Sequence, residues 1–249
     1  MLDLQQLTKH FGGVRAVDGV DLSVARGEIL GLIGPNGSGK STIVNLICGL
    51  VPLTAGRVLF DGVDISELPP HVRVALGIAR TFQNIRLFGQ LTVWQNLWVA
   101  QNSGEQRQQN FLPRWLNGSK GAREEIDQTL DFFDLGHKRD ELAGNLAFGE
   151  QRRLELARAL AVKPALLLLD EPAAGMNVEE IDQLDGRIRK IRQDGVTVIL
   201  IEHHVELVMS VADRIAVLNF GQKIAEDTPS AVQANALVRE AYLGTAAVA

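Results

Sequence analysis

The feature that most constrains this chain is a glycine-rich loop between an apolar run and a helix-forming stretch. The loop is Gly34-Pro35-Asn36-Gly37-Ser38-Gly39-Lys40-Ser41-Thr42, and the apolar run covers 28–33. Glycines lack a Cβ atom, so the backbone N–H groups can converge on a phosphate. Lys40 supplies charge for the β- and γ-phosphates, and the Ser41 hydroxyl is placed to bind Mg²⁺. The pattern predicts a strand, a phosphate loop and a helix over 41–50 whose N-terminus faces the phosphates.

Size, charge and cysteine content limit the classes of protein to which this chain can belong. It has 249 residues, of which 46% are hydrophobic and 22% charged, with a net charge of −5 and a single cysteine, Cys48. The composition is ordinary for a globular domain, and the negative charge argues against binding to nucleic acid. One cysteine excludes an internal disulfide and favours a reducing compartment. No apolar run approaches 18 residues and the start lacks a basic segment, so we expect neither a membrane span nor a signal peptide.

Two kinds of strand pattern predict the class of fold. Three apolar runs without alternation, typical of strands covered on both faces, occupy 165–169, 196–201 and 214–218. A helical pattern over 178–193 separates two of them, so we expect an α/β fold with a mostly parallel sheet. The alternating residues of 1–30, with a further strand over 57–62, predict a small antiparallel β subdomain.

The middle of the chain has a different, helical pattern. Helical spacing covers 91–99 and 122–133, and a polar excursion over 101–121 separates the two. Within the excursion, the apolar island Phe111–Leu116 either packs locally or contacts a partner. We therefore expect one domain over 1–249, with a nucleotide-binding core of 1–83 and 158–249 and a helical subdomain of 84–157 inserted into it.

An acidic pair, Asp170-Glu171, ends the leucine run of the predicted core strand. An acidic residue at the end of such a strand can hold Mg²⁺ through its water shell, so we predict Asp170 as a metal ligand. Glu171 is placed to polarise a water molecule in line with the γ-phosphate. Together with Lys40, the pair predicts nucleoside triphosphate hydrolysis with Glu171 as the catalytic base.

The segment Leu146-Ala147-Phe148-Gly149-Glu150, with the helix pattern after it, resembles the signature segment of ATP-binding-cassette (ABC) transporter ATPases. The resemblance covers nearly the whole chain and implies the ABC ATPase fold, with ATP and Mg²⁺ as cofactors. It also implies a second ATPase subunit, because this helix N-terminus caps the γ-phosphate of ATP on the opposite subunit. Ala147, Phe148 and Glu150 replace the Ser, the first Gly and the Gln of the commonest signature. The Ser hydroxyl is thereby lost as a phosphate donor, whereas Gly149 and the backbone N–H groups remain.

The same resemblance assigns roles to two loops that flank the acidic pair. Gln83 matches the Q-loop glutamine, whose amide oxygen suits Mg²⁺ and whose loop reports γ-phosphate occupancy to the helical subdomain. His203 matches the switch histidine, which hydrogen-bonds the γ-phosphate and orients Glu171. His204 is the competing candidate, one residue out of alignment, and is expected to face solvent.

Two further positions follow from the resemblance. Phe11 matches the aromatic residue that stacks on adenine, because a ring face is a suitable platform for a base. Asn177 stands where the D-loop of the family has Asp. Its amide keeps a hydrogen bond across the dimer but carries no charge.

Several segments are similar to one branch of the family, the ATPases of branched-chain amino-acid uptake. These segments are 79–83, 85–88, 148–155, 172–177 and 241–244. Urea-uptake and lipopolysaccharide-export ATPases share parts of the pattern and remain alternatives. Soluble ABC ATPases of DNA repair or ribosomes usually carry a coiled-coil insertion or a second cassette, and this chain has neither. A catalytically dead regulator is disfavoured by Glu171 and His203.

The resemblance also implies partners at a membrane. Permease subunits would dock a short helix into a groove of the helical subdomain, with a periplasmic substrate-binding protein acting indirectly. The expected location is therefore the cytoplasmic face of the inner membrane. Candidate apolar anchors are Ile85, Leu87, Phe88, Trp94 and Trp98. We expect Leu87 and Phe88 to line the groove and Trp98 to lie in the core.

Overall fold

The computed structural model describes residues 1–102 and 120–243, which form two sheets surrounded by helices. The predicted apolar island Phe111–Leu116 lies outside the described residues. In chain order, strands β1 to β10 span Leu2–Phe11, Val14–Val24, Ile29–Ile33, Ala55–Phe60, Val63–Asp64, Ile78–Arg80, Leu166–Asp170, Thr197–Ile201, Arg214–Asn219 and Gln222–Asp227. Helices α1 to α9 span Lys40–Ile47, Pro70–Ala75, Val93–Gln101, Lys120–Phe132, Phe148–Leu160, Val178–Gln193, Val205–Val211, Pro229–Ala234 and Ala236–Leu243.

The larger sheet has six strands in the order β10-β9-β3-β8-β7-β6. Its neighbouring pairs are parallel, apart from β9 with β10, which are antiparallel. The smaller sheet is antiparallel, in the order β2-β1-β4-β5. The predicted α/β fold, a mostly parallel sheet with a small antiparallel subdomain, is thus confirmed.

The core strands have no hydrophobic alternation because each face of the larger sheet covers a different apolar cluster. In β7, Leu167 and Leu169 belong to the cluster shared with the helices, whereas Leu166 and Leu168 belong to the cluster beneath the smaller sheet. Helix α1 contributes Ile43 to this second cluster. Every residue of β7 is therefore buried, as in other strands covered on both sides.

Helices α3, α4 and α5 pack against one another in the middle of the chain. Helix α3 begins with a capping box, in which the Thr92 side chain accepts the Gln95 N–H and the Gln95 side chain accepts the Thr92 N–H. Leu97 of α3 and Leu130 of α4 lie in the same buried cluster as Leu167 of the sheet. The helical block therefore shares its apolar core with the sheet.

Several boundaries differ from the sequence expectation by a few residues. The helix expected over 41–50 is Lys40–Ile47, and it ends before Gly49, whose φ of 70° is left-handed. The strand expected over 57–62 is Ala55–Phe60. Helix α6 has the expected bounds of 178–193, because Asn177 caps it by accepting the Glu180 N–H at 3.0 Å. Within the described residues, no helix is both long enough and apolar enough to span a bilayer.

A pair of glycine substitutions tests the packing of β3 against α7. A Cβ on Gly31 would lie 2.4 Å from Cγ1 of Val208, whereas a Cβ on Gly186 in α6 would meet no atom within 4 Å. We expect Gly31→Ala to lower the free energy of unfolding by about 1–3 kcal/mol through overpacking. Gly186→Ala should raise it by about 0.5–1 kcal/mol, because alanine favours helix. Urea denaturation measures both, and an unchanged midpoint for Gly31→Ala would contradict the packing described here.

Candidate nucleotide site

The glycine-rich loop joins β3 to α1 at the carboxyl edge of the larger sheet. Two of its glycines are required by close backbone approach. A Cβ on Gly34 would lie 2.2 Å from the carbonyl oxygen of Leu218, and one on Gly39 would lie 2.5 Å from that of Ala16. Gly39 also has a φ of 107°, a conformation that glycine adopts readily. The loop is therefore held between β2 and β9.

Lys40 lies inside the curve of this loop. Its ammonium group donates to the carbonyl oxygens of Gly34, at 2.7 Å, and Pro35, at 3.0 Å. Burial lowers the pKa of Lys40, and the carboxylates of Glu171 and Asp170 oppose this effect. The charge of Lys40 is thus placed between the loop and the acidic pair.

The loop also contains a buried hydroxyl group with no hydrogen-bond partner in the described part of the chain. This group is Oγ of Ser38, and its residue is almost fully buried. An unpaired polar atom in the interior is costly unless a ligand or water satisfies it. In the same loop as Lys40, such a hydroxyl fits a phosphate oxygen as its missing partner.

Asp170 ends β7 and uses only one of its two carboxylate oxygens within the described residues. Oδ2 accepts a hydrogen bond from Arg80 at 2.9 Å, whereas Oδ1 is buried without a partner. Burial raises the pKa of Asp170, and Arg80 opposes this. The unused oxygen fits a divalent cation or a water molecule of its shell. Arg80 also donates to Asn45 of α1 at 2.7 Å, so it links the acid to the helix after the loop.

Glu171 lies between two side chains from distant parts of the chain. Nε2 of Gln83 donates to Oε2 of Glu171 at 2.9 Å, and Nε2 of His203 lies 2.5 Å from Oε1. The φ of Glu171 is 52°, a left-handed conformation that is uncommon for a residue with a side chain. Such strain is often found at functional sites. The ring that reaches Glu171 is that of His203, whereas His204 is exposed and precedes α7.

The signature segment forms the N-terminus of α5 and contacts the residues around Asn177. The ring of Phe148 is half-exposed and lies against Gly175. Gly149 lies against the side chain of Glu180, the residue whose N–H Asn177 caps. The predicted signature residues and Asn177 are therefore neighbours within one subunit.

Glu150, which replaces the signature glutamine, forms hydrogen bonds within its own subunit. It accepts a hydrogen bond from the Ala147 N–H at 2.9 Å and one from Lys138 at 3.1 Å. Burial raises the pKa of Glu150, but these two hydrogen bonds outweigh that effect and the pKa is lowered. Ala147 has no side-chain oxygen with which to complete a capping box. Of the two hydrogen bonds of a capping box, only the one from the Ala147 N–H to the Glu150 carboxylate is therefore present.

Helix α5 is also tied to the loop that contains Gln83. The guanidinium group of Arg152 donates to the carbonyl oxygens of Phe82, at 3.0 Å, and Gln83, at 2.6 Å. Arg152 is almost fully buried and pairs with Glu155 at 3.4 Å. The role of Arg152 is not evident from the sequence, although it lies in the signature helix.

The predicted adenine platform lies at the end of β1. Phe11 is 49% exposed, and the ammonium group of Lys9 lies 4.8 Å from its ring centre. Near the other end of the chain, Tyr242 of α9 forms a hydrogen bond with the backbone of Gly34. This bond opposes the burial that raises the pKa of Tyr242. In the sequence, Tyr242 contributes only to the resemblance, and its contact with the phosphate loop is not evident there.

An apolar cleft lies between the end of α1, α2, β6 and α5. Leu50, Val74, Phe82, Arg158 and Val162 are among its lining residues.

Of the predicted anchors, Leu87, Trp94 and Trp98 instead pack against the main apolar cluster. The packing of Trp98 agrees with its expected place in the core, and Leu87, which we expect to line the groove, is partly buried against the same cluster. Phe88 is exposed but does not line the cleft; the guanidinium group of Arg158 lies 5.6 Å from its ring centre.

These features define an ATPase of the phosphate-loop class, in which a glycine-rich loop and an acidic pair meet at one sheet edge. The family model described as "ABC transporter" matches residues 17–174. A second, described as "Branched-chain amino acid ATP-binding cassette transporter", matches residues 222–248. The chain therefore belongs to the ABC transporter family.

Similar proteins agree with this assignment over nearly the full length. The high-affinity branched-chain amino acid transport ATP-binding protein BraF of Pseudomonas aeruginosa is 42% identical, covering 99% of this chain and 98% of BraF. Its counterpart LivG of Escherichia coli K12 is 39% identical over the same shares.

Two solved structures are informative for the fold and its assembly. A nucleotide-free ATP-binding cassette from an ABC transporter has 32% identity and a TM-score of 0.85, covering 97% of this chain and 98% of its own. A dimeric cassette in a post-hydrolysis state, bound to ADP and Pi, has 26% identity and a TM-score of 0.79, covering 92% of this chain and 99% of its own.

The ion pair of the buried Asp170 with the largely buried Arg80 yields a stability prediction. Arg80→Met should lower the free energy of unfolding by about 3–5 kcal/mol, because Asp170 would keep a buried charge without its partner. The control is Arg26→Met, which breaks an exposed pair with Asp61 and should cost about 0–1 kcal/mol. Urea denaturation at pH 7 compares the two variants. Equal losses would show that Arg80 does not support the buried acid.

Proposed function

We propose that this chain is the ATP-hydrolysing subunit of a transporter that takes up branched-chain or other hydrophobic amino acids. The observation that carries the proposal is the contact of Glu171 with both Gln83 and His203, next to the Lys40 loop. The names of BraF and LivG support the choice of substrate. We also propose the division into a core of 1–83 and 158–249 and a helical subdomain of 84–157.

ATP would bind with its phosphates in the loop Gly34–Thr42. Lys40 would neutralise the β- and γ-phosphates, and the start of α1 would add partial positive charge. The unpaired hydroxyl of Ser38 supports this placement, because it supplies one more donor there. Phe11 would stack on the adenine with the ring face that Lys9 leaves open.

Mg²⁺ would be held by Ser41, Gln83 and Asp170. When bound, it would neutralise charge on the β- and γ-phosphates. The buried, unpartnered Oδ1 of Asp170 supports a ligand at that position. Arg80 would keep the carboxylate turned so that this oxygen stays available.

Hydrolysis would use Glu171 as the base that takes a proton from the attacking water. His203 contacts the same carboxylate and would hold it in line with the γ-phosphate. Gln83 contacts the other oxygen. Through Arg152, a displacement of Gln83 would reach the signature helix of the same subunit.

Two subunits would meet head to tail, with ATP between each phosphate loop and the opposite signature segment. In the segment Ala147–Glu150, the backbone N–H groups of Phe148, Gly149 and Glu150 would cap the γ-phosphate in trans, and Asn177 would hydrogen-bond across the dimer. Each ATP would then gain donors from both subunits. A difference of about 5.5 kcal/mol would convert a mostly open pair into a mostly closed one.

Permease subunits would dock in the apolar cleft that contains Phe82, at the cytoplasmic face of the inner membrane. This position supports coupling, because Phe82 is adjacent to Gln83 and its carbonyl is held by Arg152. Arg80 lines the cleft and pairs with Asp170. A periplasmic binding protein would deliver the amino acid to the permease.

Replacement of the base tests the catalytic assignment. Glu171→Gln should bind ATP, accumulate as a dimer and hydrolyse ATP roughly 10²–10⁴-fold more slowly, because the amide cannot take the proton. Calorimetry, gel filtration with ATP and phosphate release measure these three properties. The comparison is Lys40→Ala, which should lose nucleotide affinity and stay monomeric. Normal turnover of Glu171→Gln would refute the role of Glu171.

Charge placed in the cleft tests the docking site and the substrate together. Val74 is exposed and lines the cleft, whereas Val63 is exposed on the smaller sheet. In vesicles with the permease subunits and binding protein, we expect Val74→Glu to abolish uptake of labelled leucine and Val63→Glu to retain it. Hydrolysis by each isolated variant should match the wild type.

Two outcomes of the uptake experiment would contradict the proposal. Wild-type vesicles that take up urea but no leucine would show that the transporter serves another solute. Full leucine uptake by Val74→Glu, with the permease still bound, would move the docking site away from the cleft.

A further inference from the structure

A buried carboxylate joins two segments of the site that are separate in sequence. Glu202 directly follows β8 and is only 2% exposed. Its Oε1 accepts a hydrogen bond from the Ala173 N–H at 2.6 Å. Its Oε2 accepts one from the His203 N–H at 3.0 Å and a longer one from the His204 N–H at 3.4 Å. The two oxygens thus face different segments.

Hydrogen bonding offsets the cost of this burial. Burial raises the pKa of Glu202, and the N–H groups of Ala173, His204 and His203 oppose the shift. A carboxylate offers acceptors on both oxygens, whereas an amide would turn its NH₂ group toward one set of N–H donors. Glutamate therefore suits this position better than its neutral isostere, although the two have nearly the same shape.

The two joined segments contain the groups that meet at Glu171. Ala173 lies two residues after Glu171, in the segment 172–177 that ends at Asn177. On the other side, the backbone of His203 is fixed, and its ring contacts Glu171. The parallel pairing of β7 with β8 adds one more hydrogen bond between the two segments, because the Glu171 N–H donates to the carbonyl oxygen of Ile201 at 2.9 Å. A shift of segment 172–177 would therefore pull directly on His203 through Glu202.

We propose that Glu202 is a positioning residue, which sets His203 against Glu171 and passes displacements of segment 172–177 to His203. The role rests on the proposed function, because it requires His203 and Glu171 to act in hydrolysis. Glu202 itself touches neither ATP nor water in this scheme. Contact of Asn177 with a second subunit would reach the histidine by this route.

The test replaces Glu202 by its isostere. Glu202→Gln should lower kcat for ATP hydrolysis roughly tenfold to hundredfold, because small misplacements of catalytic groups are costly. KM for ATP should stay within about threefold, because the phosphate loop is untouched. The matched control is Glu28→Gln, which removes a largely buried carboxylate that pairs with Arg214 and accepts the Ala25 N–H. It should leave kcat unchanged.

A double-mutant cycle with His203→Ala separates positioning from loss of structure. If Glu202 acts through His203, Glu202→Gln should change the single-turnover rate of His203→Ala by less than about twofold. An equal fold-loss in both backgrounds would overturn the proposal. A rise in KM with unchanged kcat would also overturn it.

Amide hydrogen exchange gives a readout that needs neither turnover nor a folded variant. In the wild-type protein, the N–H groups of Ala173 and His203 should both be protected, and free exchange at Ala173 would overturn the proposal. A wild-type chain without ATPase activity would refute the proposed function, and the positioning role with it. Normal wild-type turnover that Glu202→Gln leaves unaltered would refute the positioning role alone.

Discussion

The parallel pairing of β7 with β8 is the constraint on which the candidate site depends. Asp170 pairs with Ile201 at the ends of these strands, so the residues that follow both strands meet at one edge of the sheet. Glu171 and His203 thereby come together across 32 residues of sequence. Strand β3 pairs with the other side of β8, which brings the phosphate loop to the same edge. Ligands of open parallel sheets bind at such edges.

Buried ionic groups then fix the side chains at this edge. Arg80 pairs with Asp170, Arg152 holds the Gln83 backbone, and Glu202 joins the His203 backbone to the segment after Glu171. Each of these groups bonds to an element other than its own. Removing one member would leave a charge or several N–H groups unsatisfied in the interior. The functional side chains are thus held by a second layer of polar contacts that a motif search does not reveal.

How much of the fold and of the candidate site could be predicted from sequence depends on how far apart the interacting residues lie along the chain. The phosphate loop, the acidic pair and helix α6 are local patterns, and the fold class followed from the apolar runs of the core strands and the alternating residues of 1–30. The roles of Arg80 and Arg152 could not be predicted, because their partners lie 90 and 69 residues away. The docking surface could not be located from sequence, because an apolar residue such as Leu87, which packs partly buried against the main cluster, looks the same in sequence whether it lines a cleft or fills a core.

The apolar cluster that the helical block shares with the sheet has a mechanical consequence. Leu97 and Leu130 lie in one continuous buried cluster with Leu167, so packed apolar side chains join the helical block to the sheet. A hinge rotation that separates the helical block from the sheet would expose this surface to water at a cost of about 25 cal/mol per Å². Sliding of packed helices by small steps keeps the surface covered. In the proposed function, the nucleotide site would therefore act on the permease through small sliding steps of this shared apolar surface, which stays shielded from water throughout.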